Sequence, residues 1–236
     1  MKKGKLYLIP VTLGDNNTIS KVLPAYVLEV LRNLDYFIVE NSRSARRFIS
    51  AAGHNKAIDE LTFYELDKHQ KNQNINAFLQ PLLKGISMGV MSEAGTPAVA
   101  DPGSEIVNVA RQNGVEVVPL TGPNSIILAL MASGFNGQGF VFHGYLPVEK
   151  NLRIKKLREL EANIAKYNQT QIFIETPYRN NQMIETILKC CKPQTKLSIA
   201  CDLTLSSQWI NTLTVSAWKK ETVNLHKRPT VFLLFK

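Results

Sequence analysis

The stretch Ile86-Ser87-Met88-Gly89-Val90-Met91, continued by Ser92-Glu93-Ala94-Gly95-Thr96-Pro97-Ala98-Val99-Ala100-Asp101-Pro102-Gly103, decides how the chain is read. Its first part is a short apolar run, the signature of a buried strand. Its second part is rich in small residues, is stiffened by Pro97 and Pro102, and ends in Asp101-Pro102, which sets up a helix as N-cap and first helical residue. In an open parallel sheet, ligands bind beyond the carboxyl ends of strands, where loops present free backbone groups. Small residues there let a ligand come close to the main chain. A structural loop with a helix cap is the plain alternative.

The same alternation extends in both directions. Lys5–Ile9, Tyr36–Val39, Thr62–Leu66 and Val115–Pro119 read as further buried strands. Helical patterns lie between them at Lys21–Asn33, Ser44–Ala52, Asn74–Lys84 and Pro102–Gln112, with Gly53, Gly85 and Gly114 as stops. This implies a parallel sheet covered on both faces. After Pro119 the rhythm changes. Helices are expected at Asn124–Ser133, Glu149–Lys166 and Arg179–Lys189, and strands at Phe140–Tyr145, Gln171–Glu175, Lys196–Cys201, Gln208–Val215 and Thr230–Phe235. Consecutive strands near the end point to a mixed sheet. The expected architecture is therefore α/β in two αβα domains, residues 1–119 and 120–236.

Apolar residues make up 44% of the 236 residues and are spread along the chain, so it is globular rather than disordered. No apolar run approaches the roughly 20 residues that cross a bilayer. The opening Met1-Lys2-Lys3-Gly4-Lys5 precedes only a short apolar run, which reads as a first strand and not a signal peptide. A cytosolic protein is expected. Cys190, Cys191 and Cys201 form no C-x-x-C pair and no histidine lies at ligand spacing, so no metal site is expected. The net charge of +9 is uneven: residues 1–120 hold 13 Lys and Arg against 12 Asp and Glu, and residues 121–236 hold 15 against 7. A basic second half suits a polyanionic partner such as nucleic acid, with a solvated basic surface as the alternative.

A second signal is Thr121-Gly122-Pro123-Asn124-Ser125, which opens a helix where the two halves meet. A helix start offers unpaired N–H groups, although such a sequence is also ordinary helix-start chemistry. The blocks SEAGTPAVADPGSEIVNVAR, LTGPNSIILALMASG, FVFHGYLP and IFIETPYR, in this order and spacing, resemble the tetrapyrrole-methylase superfamily. In particular they resemble its bacterial 16S ribosomal RNA 2′-O-ribose methyltransferase I group. The resemblance spans nearly the whole chain. It implies two αβα domains with S-adenosylmethionine in the cleft between them, a homodimer, and a ribosomal RNA acceptor. It places the cofactor against Pro10, against Ser92, Glu93, Ala94, Gly95 and Thr96, and against Ser125, Leu203, Pro229 and Thr230. No G-x-G-x-x-G fingerprint occurs, which argues against a nicotinamide dehydrogenase.

The chain departs from that group in several loops. Glu40-Asn41-Ser42-Arg43 stands for its Glu-Asp-Thr-Arg, Glu93 for its Asp, and Glu175-Thr176-Pro177-Tyr178-Arg179 for its Glu-Ser-Pro-His-Arg. Leu13-Gly14-Asp15-Asn16-Asn17 replaces an Asn-Leu-Gly-Asp run, Cys201-Asp202-Leu203-Thr204-Leu205 replaces Arg-Glu-Leu-Thr-Lys, and the C-terminal extension of many members is missing. These loops are expected to face the acceptor. A ribose hydroxyl needs help to lose its proton, and Glu40 and Glu93 at strand ends are the candidate bases. The bland roles are an ion pair of Glu40 with Arg43 or Arg46, and loop scaffold for Glu93. Arg43, Arg46 and Arg47, together with Arg153, Lys155 and Lys156 on the expected outer helix, are candidate phosphate contacts; a solvated basic face is the alternative. Two other readings stay open: methylation of an anionic tetrapyrrole, and a non-catalytic RNA-binding module that depends on S-adenosylmethionine.

Overall fold

The computed structural model describes residues 2–66 and 74–236, which divide into two compact units, Met1–Asn124 and Ser125–Lys236. The sequence pattern opens the second domain at Leu120. Residues 120–124 instead stay with the first unit, because Leu120 N donates to Leu8 O at 3.1 Å and Gly122 lies against Pro10.

The first unit is a five-stranded parallel sheet of β1 (Lys5–Leu8), β2 (Tyr36–Val39), β3 (Thr62–Glu65), β4 (Met88–Met91) and β5 (Glu116–Pro119), in the order β3-β2-β4-β1-β5. Side chains alternate across it with the period of two that a pleated strand imposes. Phe37, Val39 and Met91 face the helices α1 (Ile19–Val22), α2 (Ala25–Arg32) and α3 (Ser42–Ala51). Leu6, Ile38, Met88 and Val90 face α4 (Ile75–Phe78), α5 (Gln80–Leu83) and α6 (Gly103–Gln112). Each fully buried Leu, Ile or Phe in these layers contributes about 1.5–3 kcal/mol relative to an exposed one. Gly89 is in β4 because a Cβ there would stand 2.5 Å from Ile9 Cδ1 and 3.0 Å from Phe37 Cδ1.

Two expected helices are broken, each by proline. The Lys21–Asn33 pattern becomes α1 and α2, since Leu23 before Pro24 is extended (φ −108°, ψ 129°), as a residue before proline prefers. The Asn74–Lys84 pattern becomes α4 and α5, with Pro81 in the first turn of the latter. The Asp101 carboxylate accepts from Ala98 N at 2.9 Å and Gly103 N at 2.7 Å, but Pro102 takes the N-cap position and α6 starts one residue later than expected.

The second unit holds the mixed sheet. β6 (Phe140–Tyr145) and β7 (Thr170–Ile174) are parallel. β8 (Lys196–Cys201), β9 (Trp209–Thr214) and β10 (Thr230–Phe235) are joined antiparallel, in the order β6-β7-β10-β8-β9. α8 (Lys150–Tyr167), α9 (Asn180–Cys190) and α10 (Val215–Trp218) cover one face through Leu157, Leu160, Ile187 and Trp218, against Ile199, Phe173 and Phe232. α7 (Ser125–Ser133) packs on β8, β9 and β10, where the Thr212 hydroxyl donates to Ser133 O. Among the described residues no helix is long and apolar enough to cross a membrane, and no cluster of His, Cys, Asp and Glu is placed to hold a metal ion.

Candidate functional site

In the first unit the loop leaving β1 runs to the helices of one face and the loop leaving the adjacent β4 runs to the helices of the other. Adjacent strands whose connections part in this way make a crevice at their carboxyl ends, the usual ligand position of an open α/β sheet. Main-chain hydrogen bonds fix its rim. Ile9 N donates to Val90 O and Val11 N to Gly95 O, both at 2.9 Å, and the Asn124 side-chain amide donates to Thr96 Oγ1 at 2.7 Å. Gly95 has φ +73°, and an added Cβ would meet Leu13 Cδ2 at 3.2 Å and Pro123 O at 3.3 Å. The loop is strained further on, with Ala98 at φ 67° and Ala100 at φ 63°. Pro10, Gly95 and Thr96 are thus brought together; Ser92 is half-buried, and Glu93 and Ala94 are exposed.

The candidate bases lie at this edge. Val39 pairs with Met91, so Glu40 and Ser92 follow paired strand ends. Glu40 is half-buried. Glu65, which no sequence signal singles out, ends β3 opposite Val39 and accepts from Ser42 N at 3.0 Å and from the Ser42 hydroxyl. Asn41 caps α3 through its side chain, accepting from Arg43 N and Ser44 N. Arg46 turns to Asp59 at 2.9 Å and lies 4.9 Å over the Phe63 ring. Arg43 and Arg47 are exposed, one helical turn apart.

In the second unit Leu203 follows β8 and Pro229 precedes β10, whose first residue Thr230 pairs with Cys201 at the same end of the mixed sheet. Asp202 (φ 50°) and Thr204 (φ 72°), both strained, flank the buried Leu203. Asp202 N donates to Pro229 O at 2.9 Å, while the Asp202 carboxylate accepts from Arg228 Nε at 2.8 Å and from the Ser207 hydroxyl at 3.0 Å. This partner raises the Arg228 pKa further above its ordinary value, and burial raises that of the Cys201 thiol. Thr230 is buried and its hydroxyl donates to Arg228 O at 2.9 Å; Ser125 opens α7. Beside these loops a cavity of about 420 Å³ is lined by Ser206, Gln208, Trp209, Asn224 and Arg228 among others.

S-adenosylmethionine presents an amino acid, a sulfonium, a ribose and an adenine, a mixture of donors, acceptors and apolar surface. Each set of loops, taken by itself, offers groups of these kinds. The Thr204 hydroxyl oxygen is buried with no protein partner, next to the apolar Leu203. A buried polar atom left in this way marks a place for a water or a ligand.

The basic stretch needs correction at one residue. Arg153 is not on an outer face: it is 1% exposed, with Nη1 donating to Val148 O at 3.0 Å and Nη2 to Thr186 Oγ1 at 3.2 Å. It lies on the apolar side of α8 and ties that helix to α9. Lys155 is exposed, and Lys156 is paired with Glu159 at 2.6 Å. Sequence reasoning also passes over Glu175. It is 4% exposed; one carboxylate oxygen accepts from Thr176 N at 2.6 Å and from Arg179 Nε and Nη2 at 3.0 and 2.6 Å, and the other has no partner. The Glu175-x-x-x-Arg179 spacing is the available signal, but only the structure shows the burial.

Residues 5–217 match the family of tetrapyrrole (corrin/porphyrin) methylases. The chain is 33% identical over 232 residues to the ribosomal RNA small subunit methyltransferase I of Vibrio cholerae, covering 97% of this chain and 76% of that protein. It is 30% identical to the protein of the same name from Escherichia coli O157:H7, covering 98% of this chain and 78% of that one. Among solved structures, the methyltransferase CobJ superimposes with a TM-score of 0.65 at 17% identity, over 99% of this chain and 94% of that one. The uroporphyrin-III C-methyltransferase of Thermus thermophilus superimposes with a TM-score of 0.56 at 16% identity, over 100% and 93%. The chain belongs to the tetrapyrrole methylase family and is an S-adenosylmethionine-dependent methyltransferase.

Proposed function

We propose that this methyltransferase modifies the RNA of the small ribosomal subunit, at a ribose 2′-hydroxyl. The observation that carries this reading is the match to the Vibrio cholerae protein, which runs through both units over 97% of the chain. The excess of 15 Lys and Arg over 7 Asp and Glu after residue 120 supports it, since a polyanion is held by such a surface.

In this reading the cofactor is held by Pro10 and by Ser92, Glu93, Ala94, Gly95 and Thr96 of the first unit. Ser125, Leu203, Pro229 and Thr230 of the second unit complete the set. When bound, it supplies an electrophilic methyl group on sulfur. The chain's own contribution is alignment of the acceptor oxygen, which lowers a barrier by about 7–11 kcal/mol in the best cases. Glu40 and Glu93 are the carboxylates proposed to take the hydroxyl proton. Arg43 and Arg47, with Arg46 to the extent that it leaves Asp59, grip phosphates, and Lys155 and Lys156 add to the field. The enzyme works in the cytoplasm as a homodimer.

The test is transfer of a labelled methyl group to deproteinised ribosomal RNA, to small ribosomal subunits and to a carboxylated tetrapyrrole. A nuclease-sensitive product whose labelled linkage resists alkali supports ribose 2′-O-methylation. Label in the tetrapyrrole alone, or cofactor binding with no transfer to any acceptor, overturns it.

A further inference from the structure

We propose that Tyr178, flanked by His226 and Lys227, is a stacking platform for an unpaired base of the RNA acceptor. The inference rests on the reading that the acceptor is RNA, and names a surface on which that RNA is held.

Tyr178 is 69% exposed, yet the loop that carries it is rigid. Its turn is closed by Arg179 N donating to Thr176 O at 2.9 Å, and is locked from below by the buried Glu175 carboxylate gripping Arg179. A second loop braces it: Lys227 N donates to Pro177 O at 3.0 Å, and Lys227 is held at φ 62°, an unfavourable conformation for lysine. That loop is itself tied down, with Leu225 N donating to the Asn181 side chain at 2.7 Å and Asn180 Nδ2 donating to Arg228 O at 2.6 Å. The His226 ring meets the tyrosine ring edge-on, with centroids 5.9 Å apart and planes at 74°. Lys227 Nζ stands 6.0 Å from its centroid, at the limit of a cation–π contact.

An isolated exposed aromatic means little. Here the ring is pre-organised, so immobilising it on binding costs little entropy, and the Lys227 cation stands beside it. A nucleotide offers the matching chemistry: a flat π face for the ring and a phosphate for Lys227. Single-stranded RNA is recognised in this way, by unstacked bases laid on aromatic side chains within a basic groove. The position agrees with the acceptor role. Ile174 and Val231 are paired, so the loop after β7 and the loop before β10 share one sheet edge, and the latter contains Arg228 and Pro229 and leads into Thr230.

The experiment measures binding of a short fluorescent single-stranded fragment of small-subunit ribosomal RNA to the full chain, over a salt series, for Tyr178→Ala, Tyr178→Phe and Lys227→Gln. Tyr178→Ala should weaken binding by roughly 5- to 100-fold, the effect of losing one base–aromatic stack, with its salt dependence unchanged. Tyr178→Phe should stay near wild type, because the ring and not the hydroxyl does the holding. Lys227→Gln should flatten the log–log salt slope by about 0.7, the share of one phosphate on a single strand. Tyr178→Trp supplies an independent readout, since its emission should be quenched when RNA is added. Wild-type affinity in Tyr178→Ala, or equal damage in the Ala and Phe variants, overturns the platform. A change of oligomeric mass in Tyr178→Ala without loss of RNA affinity also overturns it, in favour of a protein contact. Failure of the wild-type chain to bind RNA at all overturns the RNA reading itself, a result distinct from failure of the platform alone.

Discussion

Arg228 joins the loop before β10 to the loop after β8, its Nε donating to the Asp202 carboxylate at 2.8 Å while its Nη2 reaches Ser207 O at 2.9 Å. The pair clamps the strained turn that carries Leu203. Asp202→Ala should lower stability by roughly 1–3 kcal/mol, because it strips partners from the Arg228 guanidinium and the Ser207 hydroxyl. It should weaken S-adenosylmethionine binding as well, whereas Ser207→Ala, which removes only one of these bonds, should do less. Thermal melting and calorimetric titration of the two variants check this; equal cofactor affinity in Asp202→Ala would detach the clamp from the cofactor.

Gly95 and Gly122 test the proposed cofactor contacts of the first unit. A Cβ at Gly122 would stand 2.3 Å from Pro10 Cβ and Cγ, a collision between two rigid groups. Gly95→Ala adds a methyl group to a residue at φ +73°, at a cost of order 1–2 kcal/mol before any clash is counted. Both variants should lose cofactor affinity by more than their loss of melting temperature explains. Titration with S-adenosylmethionine below the melting transition separates the two effects.

Arg153 and Lys155 should behave differently although they lie two residues apart on one helix. Arg153→Met keeps volume in a buried place and should change stability by less than about 1.5 kcal/mol in either direction, since apolar isosteres often replace buried charges at little cost. Its RNA salt slope should equal that of the wild type. Lys155→Gln should leave the melting temperature alone and flatten the slope by about 0.7 for each phosphate that the side chain no longer neutralises. A flattened slope in Arg153→Met would mean that the guanidinium leaves its buried place when RNA binds.

His143 sets a pH dependence. It is half-buried and bonded to Gln171 Oε1 at 2.8 Å, and burial, the largest cause, holds its pKa below 6.5. The folded chain therefore takes up this proton less readily than the unfolded chain. Stability rises with pH through the window just below pH 6.5 and falls as the pH drops through it. His143→Gln should flatten the melting temperature against pH in that window and change little above pH 7, roughly where both states are already neutral. An undiminished acid slope in the variant would assign the dependence to another group.

Much of the fold is legible in the sequence because its signals are local. Strand β2 runs from Tyr36 to Val39 as the apolar run suggests, and Phe140–Tyr145, Lys196–Cys201 and Thr230–Phe235 agree residue for residue. Pro24 and Pro81 are equally visible, but the apolar periodicity runs straight through them and hides the breaks that their missing N–H groups impose. The site is less legible. Small residues after β4 advertise the loop, whereas Thr204 Oγ1 and Glu175 Oε2 matter for being buried atoms without a protein partner, a property of tertiary packing that no spacing reveals. Arg153 misleads for the same reason. On a helix thick with Lys and Arg, only the direction in which a side chain points distinguishes a core residue from a surface one.

The bridge between Val11 and Gly95 is made of main-chain atoms alone. The contact itself is blind to side-chain identity, since any residue other than proline can donate the same N–H, and what constrains position 11 is the burial of the Val11 side chain in the core. Saturation mutagenesis across this edge should therefore give an uneven landscape. Tolerance should be broad at the exposed Ala94 and steep at Gly95 and Gly122, where an added atom meets its neighbours. An edge constrained by shape at a few points leaves its other positions open to drift. Sequence change can then accumulate around this edge while its main-chain frame is kept.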